Sequence, residues 1–251
     1  MKSYVFLIFS IIVLASCSTP VKLGQSEAEN LYLHAVKNVK NGQYLLAIDR
    51  LDELKATYPL SEFVQKAEIL KGEALFKQEN YQDAIDVFMS FQTLNPGYGK
   101  LDYIQWMIAE AYFMSMPETI DRDLSMAYEA ISSYTKLMND FPGSAYLKNV
   151  KSRLEECQNF IYGRELYVAD FYFKTKKFLA SATRYKELLS SEAPTEMKKK
   201  AYRNYIISLF KNKSFNQCID ALKTNSVVNF ISEKEEKRLK NDCTSGIKKD
   251  L

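Results

Sequence analysis

One histidine and four cysteines are the residues with which this 251-residue chain could hold a metal or form a covalent intermediate. His34 has no second histidine or thiol pair at ligand spacing, so it reads as an ordinary helix side chain and no metal site is indicated. Serine and aspartate are plentiful, but a lone histidine argues against a Ser-His-Asp relay. Glu155-Glu156 and Glu235-Glu236 are neighbours on helical stretches, so each pair of carboxylates diverges instead of converging on a substrate. Gly97-Tyr98-Gly99 follows Pro96 and reads as a turn, not a phosphate loop. The lysines of 198–200 and 234–240 read as solvated faces, with a phospholipid or acidic-partner patch as the alternative. Neither enzymatic chemistry nor a cofactor is indicated.

Cys17 is the exception. Lys2 supplies a positive start, and residues 4–15 form an apolar run too short to span a bilayer comfortably. Leu14-Ala15-Ser16-Cys17 then resembles the bacterial lipobox. That resemblance implies a signal peptide over 1–16, removed before the cysteine, and a lipidated flexible tether over 17–26 with Pro20 and Gly24. The Cys17 thiol is the nucleophile that takes the lipid. Acyl chains at ~0.8 kcal/mol per buried methylene anchor a protein without making it span. Ser18, where an inner-membrane sorting signal has Asp, implies the periplasmic face of the outer membrane. No acidic run follows Cys17 to suggest export to the cell surface. Cys157, Cys218 and Cys243 remain, an odd number in an oxidising compartment. Cys157 shares a helical face with Val150, Leu154 and Ile161, and Cys218 occupies a small-residue slot of the repeat described next. Both read as buried small hydrophobes, with no disulfide framework indicated.

The elements that carry these residues are written in a repeat. Tyr44, Ala47, Ile48, Leu51, Leu54 and Pro59 recur as Tyr81, Ala84, Ile85, Phe88, Phe91 and Pro96, 37 residues on (44 to 81, 59 to 96). Ala127, Ala130, Ile131, Tyr134, Leu137 and Pro142 form a third copy. The spacing traces one face of a helix that a proline then stops. A period in the thirties predicts stacked helix pairs, because one pair cannot bury its apolar face alone. Small residues at Ala35, Gly72 and Ala109 keep the first helix of each pair in phase. Ser61 and Asp123 read as caps, and Pro117 marks a nine-residue surface insertion over 115–123. A single long helix is predicted over 145–176, then two degenerate repeats at Phe178, Ser181, Ala182, Tyr185 and Leu188 and at Phe215, Cys218, Ile219 and Leu222. The organisation is an all-α solenoid of about five helix pairs. Its modules are 27–143 (repeats one to three), 144–225 (the long helix and repeats four and five) and a charged helix and tail over 226–251. Hydrophobic residues at 47% with only eight Gly and six Pro agree with long helices and short connections. A net charge of +3 gives no argument for nucleic acid.

Gly72, Tyr81, Ala84, Phe88 and Pro96 stand where the tetratricopeptide repeat has its consensus residues, and the chain resembles that type. Within it, Tyr58-Pro59, Asn95-Pro96, Asp102-Tyr103, Asp121-Arg122-Asp123, Phe141-Pro142-Gly143-Ser144-Ala145-Tyr146 and the stretch 170–184 resemble the BamD family of outer-membrane β-barrel assembly lipoproteins. Residues 226–251 depart from it by their heavier charge. The resemblance implies a scaffold that receives unfolded outer-membrane protein precursors, docks onto the POTRA domains of BamA and joins other assembly lipoproteins at the membrane. Arg184 matches the family's BamA-contacting arginine. First helices line the concave side of such a superhelix. Tyr32, Ile69, Glu73, Phe76, Trp106, Glu110 and Phe113 would then form a peptide groove, apolar along its floor and edged with charge. These residues differ from the Lys/Asn carboxylate clamp of chaperone-binding repeats. The alternative is a lipoprotein that binds carbohydrate or cell-wall material, which needs large insertions between helices.

Overall fold

A computed structural model describes residues 26–223 and 230–250 of the chain. Cys17, with the expected signal peptide and most of the tether, lies outside the described residues, as do 224–229 and Leu251 at the end of the tail. Eleven α-helices follow one another, with no strand among the described residues. They are α1 Glu27–Lys40, α2 Tyr44–Thr57, α3 Phe63–Lys77, α4 Tyr81–Leu94, α5 Leu101–Met114, α6 Ser125–Asp140, α7 Val150–Lys174, α8 Phe178–Ser190, α9 Thr195–Lys211, α10 Phe215–Lys223 and α11 Glu233–Asp250. Two compact units result, one ending at Ala74 and the other beginning at Leu75. The sequence-based boundary at 143/144 falls inside the second unit. There Ala109, Ala130, Tyr134 and Leu137 share one core with Val150 and Cys157, so the packing has no break at that point.

In the first unit α1 and α2 close over Ala35, Ala47, Leu51 and Leu54, all at most 1% exposed. The Ser26 hydroxyl caps α1 by accepting from the Glu29 N–H at 3.1 Å. The Tyr58 hydroxyl, just past the end of α2, donates to the Glu27 carboxylate. Ser61 accepts from the Phe63 N–H at 3.2 Å and starts α3.

A sealed small residue recurs on the second helix of each pair. The fourth residue of the second helix or its equivalent is Ala47, Ala84, Ala130, Ser181 or Cys218, and each has no exposed surface. Their counterparts on first helices, Ala35, Ala109, Ala169 and Ile206, are equally sealed. The turn joining the two helices also recurs. Gly42, Glu79, Lys176 and Lys213 each adopt a left-handed backbone, with φ of 74, 64, 61 and 62°. The next N–H reaches back to the carbonyl five residues earlier: Gln43 to Asn38, Asn80 to Leu75, Lys177 to Tyr172 and Ser214 to Leu209, at 2.9–3.0 Å. This is the Schellman arrangement, which satisfies carbonyls that a helix end leaves open.

The third pair departs from that turn. Its insertion leaves α5 at Ser115, and the Asp123 carboxylate accepts from the Ser125 N–H (3.0 Å) and hydroxyl (2.6 Å) to begin α6. Those hydrogen bonds hold the Asp123 carboxyl below its ordinary pKa. Arg164 on α7 donates to the Ile120 carbonyl at 3.1 Å and pins the insertion down.

Three expectations need correction. The long helix does not start at 145: Ala145–Asn149 is a 3₁₀ turn, and α7 then runs 25 residues, or ~37 Å at 1.5 Å per residue. Ser144 tightens that turn, accepting from the Tyr146 N–H (3.2 Å) while donating to Asp102 (2.8 Å). The last helix extends well beyond the expected 232–241, because Leu239 and Cys243 bury against the final pair. Cys218 is also not a free thiol. It is disulfide-bonded to Cys243, with Cα atoms 6.2 Å apart, because α11 folds back along α10. Cys157 is buried and free, and burial above all pushes its thiol up to about 11.

The left-handed turns generate a stability test. Gly42 has no atom within 4 Å of where a Cβ would stand, so backbone conformation alone decides its substitution. Gly42→Ala should cost ~1 kcal/mol, and Glu79→Gly or Lys213→Gly should gain ~0.5–1 kcal/mol, read as urea midpoints at constant slope.

Candidate functional site

The seven expected groove residues divide between the units, Tyr32, Ile69 and Glu73 in the first and Phe76, Trp106, Glu110 and Phe113 in the second. In the first unit Tyr32 is half-buried against Phe63, ring centroids 5.7 Å apart, and Ile69 and Glu73 are partly buried. In the second unit Phe76 meets Tyr81 edge-on at 5.2 Å.

The centre of the second unit's set is on α5. Trp106 stacks on Tyr146 with centroids 4.9 Å apart and planes 19° from parallel. Tyr103, one turn earlier on α5, completes a three-ring platform at 5.9 Å from Trp106 and 5.5 Å from Tyr146. All three rings are only partly buried, so aromatic surface stays open to solvent. The Asp102–Ser144 hydrogen bond holds the turn that delivers Tyr146. Two turns on, Phe113 lies under the Arg153 guanidinium, whose carbon is 4.2 Å from the ring centroid. The expected groove set includes Trp106 and Phe113 but not Tyr103 and Tyr146, which the structure brings against Trp106. The i, i+3 spacing of Tyr103 and Trp106 was the available signal.

Glu110 does not edge a groove. Only 9% exposed, it accepts from the Tyr134 hydroxyl at 2.6 Å and pairs with Arg153 at 3.4 Å. The arrangement recurs one pair later, where Tyr185 donates to Asp170 at 2.5 Å and Lys200 pairs with the other Asp170 oxygen at 2.6 Å. Asn204 donates to the Tyr185 oxygen at 3.1 Å. Each acid directly follows a sealed alanine, Ala109 or Ala169, and each tyrosine stands four residues after the small slot of its second helix. Burial, then the hydrogen bond to the carboxylate, raises both phenol pKa values far above the ordinary tyrosine value. Both are held neutral, as donors. Glu110 thus positions Arg153 over Phe113 and is not itself a contact surface.

Arg184 is 45% exposed on its side chain and pairs with Glu165 (3.6 Å) and Glu187 (3.3 Å). Tyr128, Ile161, Tyr162 and Leu188 line the small concavity around it, of about 280 Å³. Such exposed pairs contribute little to stability and can be exchanged for another carboxylate. A larger cleft of about 740 Å³ lies between α8, α9 and α10, lined mainly by Leu179, Tyr202, Tyr205, Leu209 and Phe230, and was not foreseen. Among the described residues no group of three or more His, Cys, Asp or Glu could hold a metal ion. No described helix is long and apolar enough to cross a membrane.

The model of the YfiO family, outer membrane lipoproteins, matches residues 24–222. The chain belongs to that family. Its relatives include BamD outer membrane protein assembly factors. The one from Vibrio cholerae is 25% identical over 193 residues, which cover 73% of this chain and 80% of the relative. The one from Rickettsia prowazekii is 22% identical over 165 residues, 66% of this chain and 65% of the relative, so the match spans just under two thirds of that protein. Among solved structures, the TPR2AB domain of yeast Sti1 in its pHSP90 complex overlaps with a TM-score of 0.44 and 15% identity. That overlap covers 86% of this chain and 98% of the other, a fit too loose to bear on function.

The buried tyrosine–carboxylate pairs make a prediction for this family member. Glu110→Ala leaves the Tyr134 hydroxyl buried without its acceptor and should cost ~1–3 kcal/mol, more than Tyr134→Phe. A double-mutant cycle on urea unfolding should show coupling of at least ~1 kcal/mol; zero coupling would mean the bond is not made.

Proposed function

We propose that this YfiO-family chain is a non-enzymatic scaffold of outer-membrane β-barrel assembly, held by lipid on Cys17 at the periplasmic face of the outer membrane. It receives unfolded barrel precursors on the α5 platform and docks to the POTRA domains of BamA through the surface around Arg184. The observation that carries this reading is the partly open Tyr103–Trp106–Tyr146 stack, with Phe113 two turns further along the same helix. An extended precursor strand offers large side chains on alternate positions and free backbone groups. Flat aromatic faces bind such side chains without demanding one sequence, as a component serving many precursors must. Tyr32 and Phe63 give the first unit an aromatic pair of its own.

At the other surface, Arg184 already sits between two carboxylates that a partner's acid could replace. A guanidinium offers the bidentate geometry that lysine lacks. Other assembly lipoproteins would join through surfaces outside these two.

Trp106 is the only tryptophan, so its fluorescence reports binding directly. A synthetic peptide of a barrel's C-terminal strand should quench or shift that emission. Trp106→Ala should weaken binding about tenfold or more (~1.4 kcal/mol) by a label on the peptide, with unchanged circular dichroism. Equal affinity in the variant would sink the platform reading. For the second surface, Arg184→Ala should cut recovery of BamA in a pull-down from membranes, since losing one partner of a desolvated pair costs ~2–5 kcal/mol.

A further inference from the structure

We propose that α11 is a redox-latched cap on the last helix pair, locked onto the solenoid when Cys218 and Cys243 are joined and released when a dithiol reductant reopens the bond by thiol–disulfide exchange and is itself oxidised to a disulfide.

A stack of helix pairs ends in an apolar face that needs a polar-backed element to cover it. Helix α11 has that construction: Glu233, Lys234, Lys237, Arg238, Lys240 and Asp242 point to solvent, while Leu239, Cys243 and Gly246 face inward at helical spacing. Its inner stripe joins the core of Tyr202, Ile206, Leu209, Cys218 and Leu222. That stripe is thin. Among the described residues, Leu239 and Cys243 are the fully buried apolar side chains that α11 brings, and the ion pair that ties it to the repeat, Arg203 with Glu235, is partly exposed. Gly246 lies against the Phe215 ring where any Cβ would run into it, so close seating is built into the sequence. Close seating with little apolar area is a contact that a covalent bond stabilises strongly, here by closing a loop of 25 residues.

The position of the bond in the repeat gives it a second property. Cys218 occupies the slot that Ala47, Ala84 and Ala130 fill in earlier pairs, so its reduced form still fits the helix contact. Breaking the bond therefore frees α11 without spoiling the pair beneath it. Gln217, Asp220 and Ala221 on the same helix line the large cleft, so the latch attaches beside that cleft.

Formation is thiol–disulfide exchange with a dithiol–disulfide oxidoreductase. The Cys243 thiolate attacks the oxidant's disulfide and one oxidant thiolate leaves. The Cys218 thiolate then attacks the mixed disulfide and releases the second. Two protein thiols lose two protons and two electrons, and the oxidant is reduced to its dithiol. Both sulfurs are fully buried in the docked state, so exchange requires α11 to lift and the closed bond is shielded once made.

The test is hydrogen exchange by mass spectrometry on the full-length chain, oxidised and then reduced with a phosphine. Non-reducing digestion should first yield the peptides holding Cys218 and Cys243 as one species, lighter than their sum by two hydrogen atoms. Reduction should speed amide exchange across 233–247 by about tenfold or more and leave α5 to α9 unchanged. Cys218→Ala with Cys243→Ala, which restores alanine to the slot, should match the reduced protein. Unlinked peptides in the oxidised protein, or equal exchange in α11 before and after reduction, would overturn the proposal. So would a double variant that loses protection through α7 to α9, because the bond would then be a staple of the whole unit instead of a latch.

Discussion

Everything in this structure depends on how closely paired helices approach. At the point of nearest contact there is room for a methyl, a hydroxymethyl or a thiol, and Ala47, Ala84, Ala130, Ser181 and Cys218 fill that room completely. Close-packed interiors transmit such constraints, so one small side chain per pair fixes where the larger neighbours go. Leu51, Phe88, Tyr134, Tyr185 and Leu222 then fill the space beside the slot and are all but sealed from water. The left-handed turn residue is the other half of the constraint, since it returns the chain at the angle the close approach needs.

Where the filling residue is a tyrosine, the interior gains a polar group that must be satisfied. Tyr134 and Tyr185 solve this identically, each donating to an acid on the partner first helix that a cation from the next helix balances. Burying a carboxylate is costly unless it is both hydrogen-bonded and paired, and both conditions are met. In the first case the cation, Arg153, also covers Phe113, so a device that belongs to the core arranges a side chain beside the proposed binding platform.

The repeated apolar face, the small slots, the insertion after α5 and the caps at Ser61 and Asp123 were all legible, because each is local and periodic. The disulfide was not. Cys218 sits where alanine belongs and Cys243 lies in a charged stretch, and only the Leu239, Cys243, Gly246 stripe hinted that the stretch folds back. Glu110 was misread because a charge on a helix face was taken for an edge, while the hydroxyl that consumes it is 24 residues away. The Ala-Glu and Ala-Asp pairs at 109–110 and 169–170, each matched to a slot tyrosine, carried that information as a correlation between elements. The 3₁₀ turn before α7 has the same origin: the pull of Asp102 and of the Tyr103 and Trp106 rings on Ser144 and Tyr146 is a tertiary effect.

The central functional claim is that an extended strand is received on the α5 platform and not on the scattered exposed apolar residues of the helices. Leu45, Leu60 and Leu179 are far more exposed than Trp106 and offer themselves to any non-specific hydrophobic contact. The direct measurement is photocrosslinking of a barrel C-terminal strand peptide carrying a benzophenone side chain, with adducts on the full-length chain mapped by mass spectrometry. Adducts concentrated on Tyr103, Trp106, Phe113 and Tyr146 are predicted. Adducts spread over Leu45, Leu60 and Leu179, with none on α5, would contradict it.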